Sequence, residues 1–228
     1  IRSVALTYSW DNYVPEYKPL PSDPSQFSTM EGRYKNGSDG LLIVYSEGDR
    51  LFRKYIRGNE SLEMFRINED TYVKRESTDV IQLKTNPADG KLHIILKSPG
   101  ADDRFEHPRL EDDEYIPFEH LLAGEYDNGL KAYRELKQAN PNEGAVNEGN
   151  LNRQGYDLLS AKKYELAKDI FRINMSLYPN SANTYDSYAE ACMLSGDTVQ
   201  AIQYYERTLA MEKNNPNAVK MLAAMKKK

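Results

Sequence analysis

Apolar and polar positions change rhythm once along this chain. From Thr29 to Lys97 the pattern is short and strand-like. In "LLIVYSEGDRLFRKYI" apolar and aromatic residues flank a turn, Glu47 to Asp49, which predicts a hairpin. "SLEMFRI", "TYVKRE", "DVIQLKT" and "KLHIILK" follow, separated by "NED", "STD" and "NPADG", whose residues favour turns. Six or seven short strands with tight turns predict an antiparallel meander. It should curl into a barrel-like form, because a flat sheet would leave long edges unpaired.

From about Glu111 the rhythm becomes helical. Sliding the chain by 34 residues sets Gly155 on Ala189, Ala167 on Ala201, Phe171 on Tyr205 and Pro179 on Lys213. This is the tetratricopeptide period. The spacing predicts that Gly155 and Ala189 on first helices meet Ala167 and Ala201 on second helices, with Phe171 and Tyr205 filling the gap to the next unit. A weaker copy upstream puts Gly124, Tyr126, Tyr133 and Pro141 at the matching places, offset by four residues of the "NEGAVNEGN" loop. A last helix in "PNAVKMLAAMKKK" should cap the stack. "YPNS" offers a Pro stop and a Ser or Asn cap, and "SGDTVQAIQ" a Gly stop and an Asp or Thr cap. The expected fold class is α+β: an irregular leader over 1–28, an antiparallel β domain over 29–108, and tetratricopeptide-like repeats over 109–228, with about three helix pairs plus a capping helix.

Composition narrows the function. Thirty basic and 35 acidic residues leave a net charge of -5, spread along the chain. A nucleic-acid surface would need a clustered basic excess. The longest apolar run, Leu41 to Val44, is far short of the roughly 20 residues of a membrane span. The start "IRSVALTYSW" has no initiator Met and reads as a mature product or an excised fragment. The single cysteine, Cys192, sits in a helical apolar pattern and is expected in the core.

The motifs themselves carry a resemblance. "LNRQGYDLL" supplies Leu151, Asn152, Gly155, Tyr156, Leu158 and Leu159. Phe171, Asn174, Tyr178, Pro179, Ser181, Asn183, Tyr185, Asp186, Ser187, Gly196 and Asp197 follow in order. This run resembles the tetratricopeptide tail of certain bacterial serine hydrolases. The β segment is similar to the small β domain that follows a beta-lactamase-like catalytic domain in them, through "EGRY", "LLIV", a hairpin and then Phe65 and Asn68. The resemblance implies the accessory C-terminal part of such an esterase-like or penicillin-recognising hydrolase, without its catalytic domain, in an exported or periplasmic bacterial protein. Its partner would be a protein or peptide segment, or that catalytic domain.

Catalysis in that family needs a Ser with a Lys one helical turn later, a Tyr-x-Asn and a Lys-Thr-Gly element. "SAKK" (Ser160 to Lys163), "YDN" (Tyr126 to Asn128) and "KTN" (Lys84 to Asn86) stand in the wrong order and context. Ser160 is expected to cap a second helix instead. His93, His107 and His120 lack ligand spacing; His93 reads as strand, and the other two flank a linker. "EDDE" (Glu111 to Glu114) should favour a helix N-terminus through its dipole. No enzyme activity, cofactor or metal is expected. In the family's register the groove positions fall on Asn152, Tyr156, Asn183, Asp186 and Glu190, which would hydrogen-bond an extended peptide. Packing and capping compete for the same side chains. A small serine hydrolase, or a lipocalin-like carrier of a small apolar ligand in the β domain, are the alternative functions.

Overall fold

The computed structural model describes residues 17–58, 60–74, 79–97 and 104–225. The chain divides into two compact units, Ile1–Ile116 and Pro117–Lys228. The first is an antiparallel, barrel-like sheet; the second is a stack of tetratricopeptide-like helix pairs.

Eight strands of the first unit pair in sequence order: β1 (Gly32–Asn36), β2 (Gly40–Glu47), β3 (Arg50–Tyr55), β4 (Ser61–Arg66), β5 (Thr71–Lys74), β6 (Val80–Thr85), β7 (Leu92–Lys97) and β8 (Arg104–Pro108). The sheet curls until its first strand meets the segment after its last. Tyr34 and Arg109 form an antiparallel bridge, and the Leu110 N–H donates to the Arg33 carbonyl at 2.7 Å. Closure of this kind protects both edges. Because strand side chains alternate, one face of each strand turns inward. Tyr34, Leu42, Val44, Leu51, Met64, Tyr72, Ile81, Leu83 and Ile94 share one buried core.

Three expectations change here. The expected irregular leader contributes to this core. A 3-10 turn at Pro24–Gln26 leads into α1 (Phe27–Met30), and Phe27 and Met30 pack among the inward side chains. The Tyr34 hydroxyl donates to the Met30 carbonyl at 2.5 Å and holds this plug. Residues 1–16 of that leader lie outside the described residues. An eighth strand runs through "RFEHP", beyond the six or seven expected. Of the two positions opposite the core-facing Leu96 and Ile94, Phe105 is exposed and His107 is buried, so the strand shows no run of inward apolar residues. Its proline stands at the strand's end, where the missing N–H is tolerated. The acidic run serves the barrel rather than a helix dipole. The Glu114 carboxylate accepts from Lys91 Nζ at 2.7 Å and from the Glu111 N–H at 2.8 Å.

The second unit holds α2 (Pro117–Leu122), α3 (Tyr126–Ala139), α4 (Glu148–Ser160), α5 (Tyr164–Leu177), α6 (Ala182–Leu194), α7 (Thr198–Met211) and α8 (Pro216–Met225). First helices α4, α6 and α8 start at Glu148, Ala182 and Pro216, and second helices α5 and α7 at Tyr164 and Thr198, which realises the repeat period. Phe171, Tyr205 and, in the upstream copy, Tyr133 are fully buried at equivalent places. Cys192 is buried in the same core, which pushes its thiol pKa up.

The small residues act differently from expectation. A Cβ on Gly155 would lie 2.4 Å from the Phe171 ring, so the glycine makes room for that ring rather than for Ala167. Upstream, the small residue is Gly129, whose added Cβ would lie 2.5 Å from Leu121 Cδ2. Gly124 belongs instead to the turn between helices. It has φ 76°, and Lys162 (58°) and Gly196 (90°) take the same left-handed conformation at the same place in their units. Capping also differs in part. The Asp197 carboxylate accepts from the Gln200 N–H at 3.1 Å, as expected of a cap. Ser181 stands at the N-cap of α6 without capping it, and α5 begins at Lys163 without help from Ser160.

Candidate functional site

The five groove positions lie on two helices. Asn152 and Tyr156 are one turn apart on α4; Asn183, Asp186 and Glu190 lie along one stripe of α6. Asn152 is to Asp186, and Tyr156 to Glu190, what each repeat is to the next. Asn183 stands in the same relation to Asn217 of α8.

The structure joins four of the five into contacts between successive repeats. The Tyr156 hydroxyl donates to Glu190 Oε2 at 2.8 Å and lies 3.4 Å from Ser187 Oγ. Its ring meets Phe171 edge-on at 5.3 Å between centroids. Asn217 Nδ2 donates to Asp186 Oδ2 at 2.8 Å. At the start of α4, Glu148 Oε1 accepts from Ser181 Oγ at 2.7 Å and from Asn183 Nδ2 at 3.4 Å. Ser181 therefore spends its hydroxyl on the preceding repeat instead of on its own helix. Asn183 is exposed; Asn152, Tyr156, Asp186 and Glu190 are half-buried.

Bonding on this face is incomplete. Asn152 Oδ1 and Asp186 Oδ1 are buried without a hydrogen-bond partner. Both are acceptors, and Asp186 sits near Glu190 and Glu212. Burial pushes the Asp186 carboxyl pKa up; Glu190 and Glu212 push it further, against the Asn217 hydrogen bond. Burial likewise pushes the Tyr156 hydroxyl up to about 12; the Ser187 hydrogen bond opposes this and Glu190 adds to it. An unpaired buried acceptor costs roughly 1–3 kcal/mol. The face is thus acidic, rich in acceptors and only partly satisfied by its own chain.

Glu148 and Asn217 join this network without having been singled out in the sequence, and Ser187 joins it from the tetratricopeptide motif. The repeat period alone points to Asn217, from Asn183. Glu148 carries no such signal, because its role arises from an inter-repeat approach. The other tyrosines pack: the Tyr188 hydroxyl donates to Gln200 Oε1 at 3.0 Å, and Tyr185 stacks on Tyr204.

The short hydrolase-like motifs have local roles. Lys84 is exposed on β6, Ser160 ends α4, and Arg172 lies 3.7 Å above the Tyr126 ring. Of the histidines, His120 Nδ1 lies 2.8 Å from Glu125 Oε2. His93 is buried between Asp89 at 2.8 Å and Glu106 at 3.4 Å. His107 is buried inside the barrel. Among the described residues no group of three or more His, Cys, Asp or Glu side chains could hold a metal ion, and no helix is long and apolar enough to cross a membrane.

No protein-family model matches the chain, and no curated protein matches it by sequence. Solved structures do match. The first TPR of Spaghetti (RPAP3), bound to the HSP90 peptide SRMEEVD, is 21% identical with a TM-score of 0.35, over 49% of this chain and 85% of that one. The second TPR domain of human RPAP3, in complex with the HSP70 peptide SGPTIEEVD, is 22% identical with a TM-score of 0.36, over 49% and 90%. MamA is 20% identical with a TM-score of 0.33, over 49% and 63%.

Proposed function

We propose that this chain is a non-catalytic interaction module whose first-helix face binds an extended, positively charged peptide segment. One observation carries the reading. Polar side chains recur at equivalent places of successive repeats on that face, and two of their buried acceptors, Asn152 Oδ1 and Asp186 Oδ1, make no hydrogen bond. An extended peptide offers backbone N–H donors at regular spacing, and Lys or Arg side chains complement Asp186 and Glu190. In the finer form of this reading the module accompanies a serine hydrolase domain in an exported bacterial protein. The motif from Leu151 to Asp197 supports that form.

Fluorescence anisotropy with labelled peptides tests the module reading. A Lys/Arg-containing extended peptide should bind, and an acidic peptide of the same length should not. Each hydrogen bond to a charged group is worth roughly 1.5–3 kcal/mol. Asp186→Ala with Glu190→Ala should therefore weaken binding by on the order of tenfold or more. Binding that survives the double change removes the groove assignment. The finer form is tested by the coding sequence upstream of Ile1, where it requires a beta-lactamase-like domain.

A further inference from the structure

The barrel buries two histidines in opposite settings. His93 faces outward on β7, between the carboxylates of Asp89 and Glu106. His107 faces inward on β8: it is the partner of Ile94, a member of the core. It is 3% exposed. Its Nδ1 lies 3.1 Å from the Lys35 carbonyl, which can only accept, so Nδ1 carries the hydrogen. That leaves Nε2 as an acceptor on the neutral ring and a donor on the charged one. It is buried and makes no hydrogen bond.

Arg53 faces the same interior. It is the partner of Val44, another core residue, and is 8% exposed. Its guanidinium reaches only the Tyr55 hydroxyl, at 3.5 Å, and lies 5.9 Å from that ring's centroid. Its Nε is buried without a partner. Among the described residues no carboxylate pairs with it, while the buried carboxylate of Asp39 is paired with Arg57. An interior guanidinium without a counter-charge is costly, and natural chains pair such charges. Burial is the main cause that holds the His107 imidazole pKa below its ordinary value; the Lys35 hydrogen bond opposes it, and the Arg53 charge adds a smaller push in the same direction as burial. The interior thus presents a permanent cation and a histidine whose charged form burial disfavours.

We propose that the barrel interior binds a small carboxylate between Arg53 and His107. The planar guanidinium fork matches a carboxylate's two oxygens. Tyr55 and Leu96, partly buried against the core, offer apolar contact to a short alkyl group. The arriving anion offsets the Arg53 charge, so the imidazole takes up one proton and Nε2 becomes the second donor. Binding therefore tightens as pH falls. The other charged groups nearby are engaged or turned away. Glu106 serves His93, Asp39 and Arg57 serve each other, the Lys35 side chain is exposed, and the Tyr34 hydroxyl is bonded to Met30. The site lies in the first unit and does not depend on the peptide-binding reading of the second.

The test is NMR of the His107 ring in the whole chain, titrated with acetate, butyrate and inorganic phosphate in carboxylate-free buffer. Acetate or butyrate should shift the His107 resonances saturably and raise the pH at which the ring titrates. Arg53→Met should weaken this by about tenfold or more, the loss of a charge-assisted pair. His107→Gln should keep weaker binding without its pH dependence, read by calorimetry. Unmoved His107 resonances in the folded wild-type chain would overturn the proposal, and so would phosphate binding as tightly as acetate. Should Arg53→Met not fold, Arg53→Lys keeps the charge and removes the fork. Undiminished binding in that variant counts equally against the site.

Discussion

The two units bury polarity by opposite routes. In the helical unit polar groups of the first-helix face meet partners about one repeat away. Tyr156 reaches Glu190, Asn217 reaches Asp186, and Ser181 reaches Glu148. In the barrel the buried His107 on β8 instead reaches the Lys35 carbonyl of β1, 72 positions away. A repeat distributes its polar positions by translation, so one period places them. A closed sheet gathers them from its whole length, and each is a separate event. The helical unit therefore presents an extended face, whereas the barrel concentrates charge at a point.

Substitutions break this comparison at different depths. The largest effect should come from Phe171→Ala, which removes a fully buried ring shared by α4 and α5. Urea unfolding should show a loss of about 3–5 kcal/mol. Gly155→Ala should cost about 1–3 kcal/mol, since the added methyl collides with the same ring. Combining Gly155→Ala with Phe171→Leu should cost less than the sum of the two single changes, because the smaller side chain relieves the collision. Strict additivity would show that Gly155 is small for another reason.

In the barrel, Tyr34→Phe should cost about 1 kcal/mol by freeing the Met30 carbonyl from its buried hydroxyl. Thermal melts that leave the variant unchanged would detach α1 from the closure of the sheet. Acid then separates the units further. The folded His107 has a pKa below its unfolded value of 6.5, so the unfolded chain takes up the proton first. The stability His107 contributes is present above that value and is lost as pH falls through it toward the lowered folded pKa. His107→Gln should flatten this part of the pH profile of the urea midpoint, measured without carboxylate buffers. Asp186 has the opposite sign. Its carboxyl pKa is raised on folding, so ionisation above the unfolded value of 3.8 weakens the fold. Asp186→Asn should leave stability at neutral pH unchanged or slightly higher while weakening peptide binding. A clear loss of stability would mean that Asp186 serves the Asn217 contact more than a partner.

Legibility in the sequence followed the same division. Helical repeats announce themselves, because the aromatic and small residues at Phe171, Tyr205, Gly155 and Ala189 recur at a constant interval. Which small residue answers which ring was less legible. Gly155 and Ala167 look like a matched pair in one dimension, whereas packing sets Gly155 against Phe171. The meander was legible from its turns, but its last strand was not. Strand signals rest on inward apolar residues, and β8 turns His107 inward. The end of the leader was hidden for a related reason: Phe27 and Met30 follow a proline-rich stretch with no period to join them to the sheet.

For the candidate sites the contrast is sharper. The stripe Asn152, Tyr156, Asn183, Asp186 and Glu190 follows from the repeat register, and translation predicts Asn217 as well. Its bonding does not follow, since Ser181 and Glu148 meet only because neighbouring repeats approach at that angle. Arg53 and His107 are 54 positions apart with nothing in common along the chain. The sequence by itself determined the class of both units, the repeat period and the acidic stripe, because these are properties of local pattern and translation. Only the tertiary structure decided that Arg53 and His107 share an interior in which no carboxylate among the described residues pairs with either. Closing a sheet brings distant strands together, and what each residue then lacks depends on everything else placed around it.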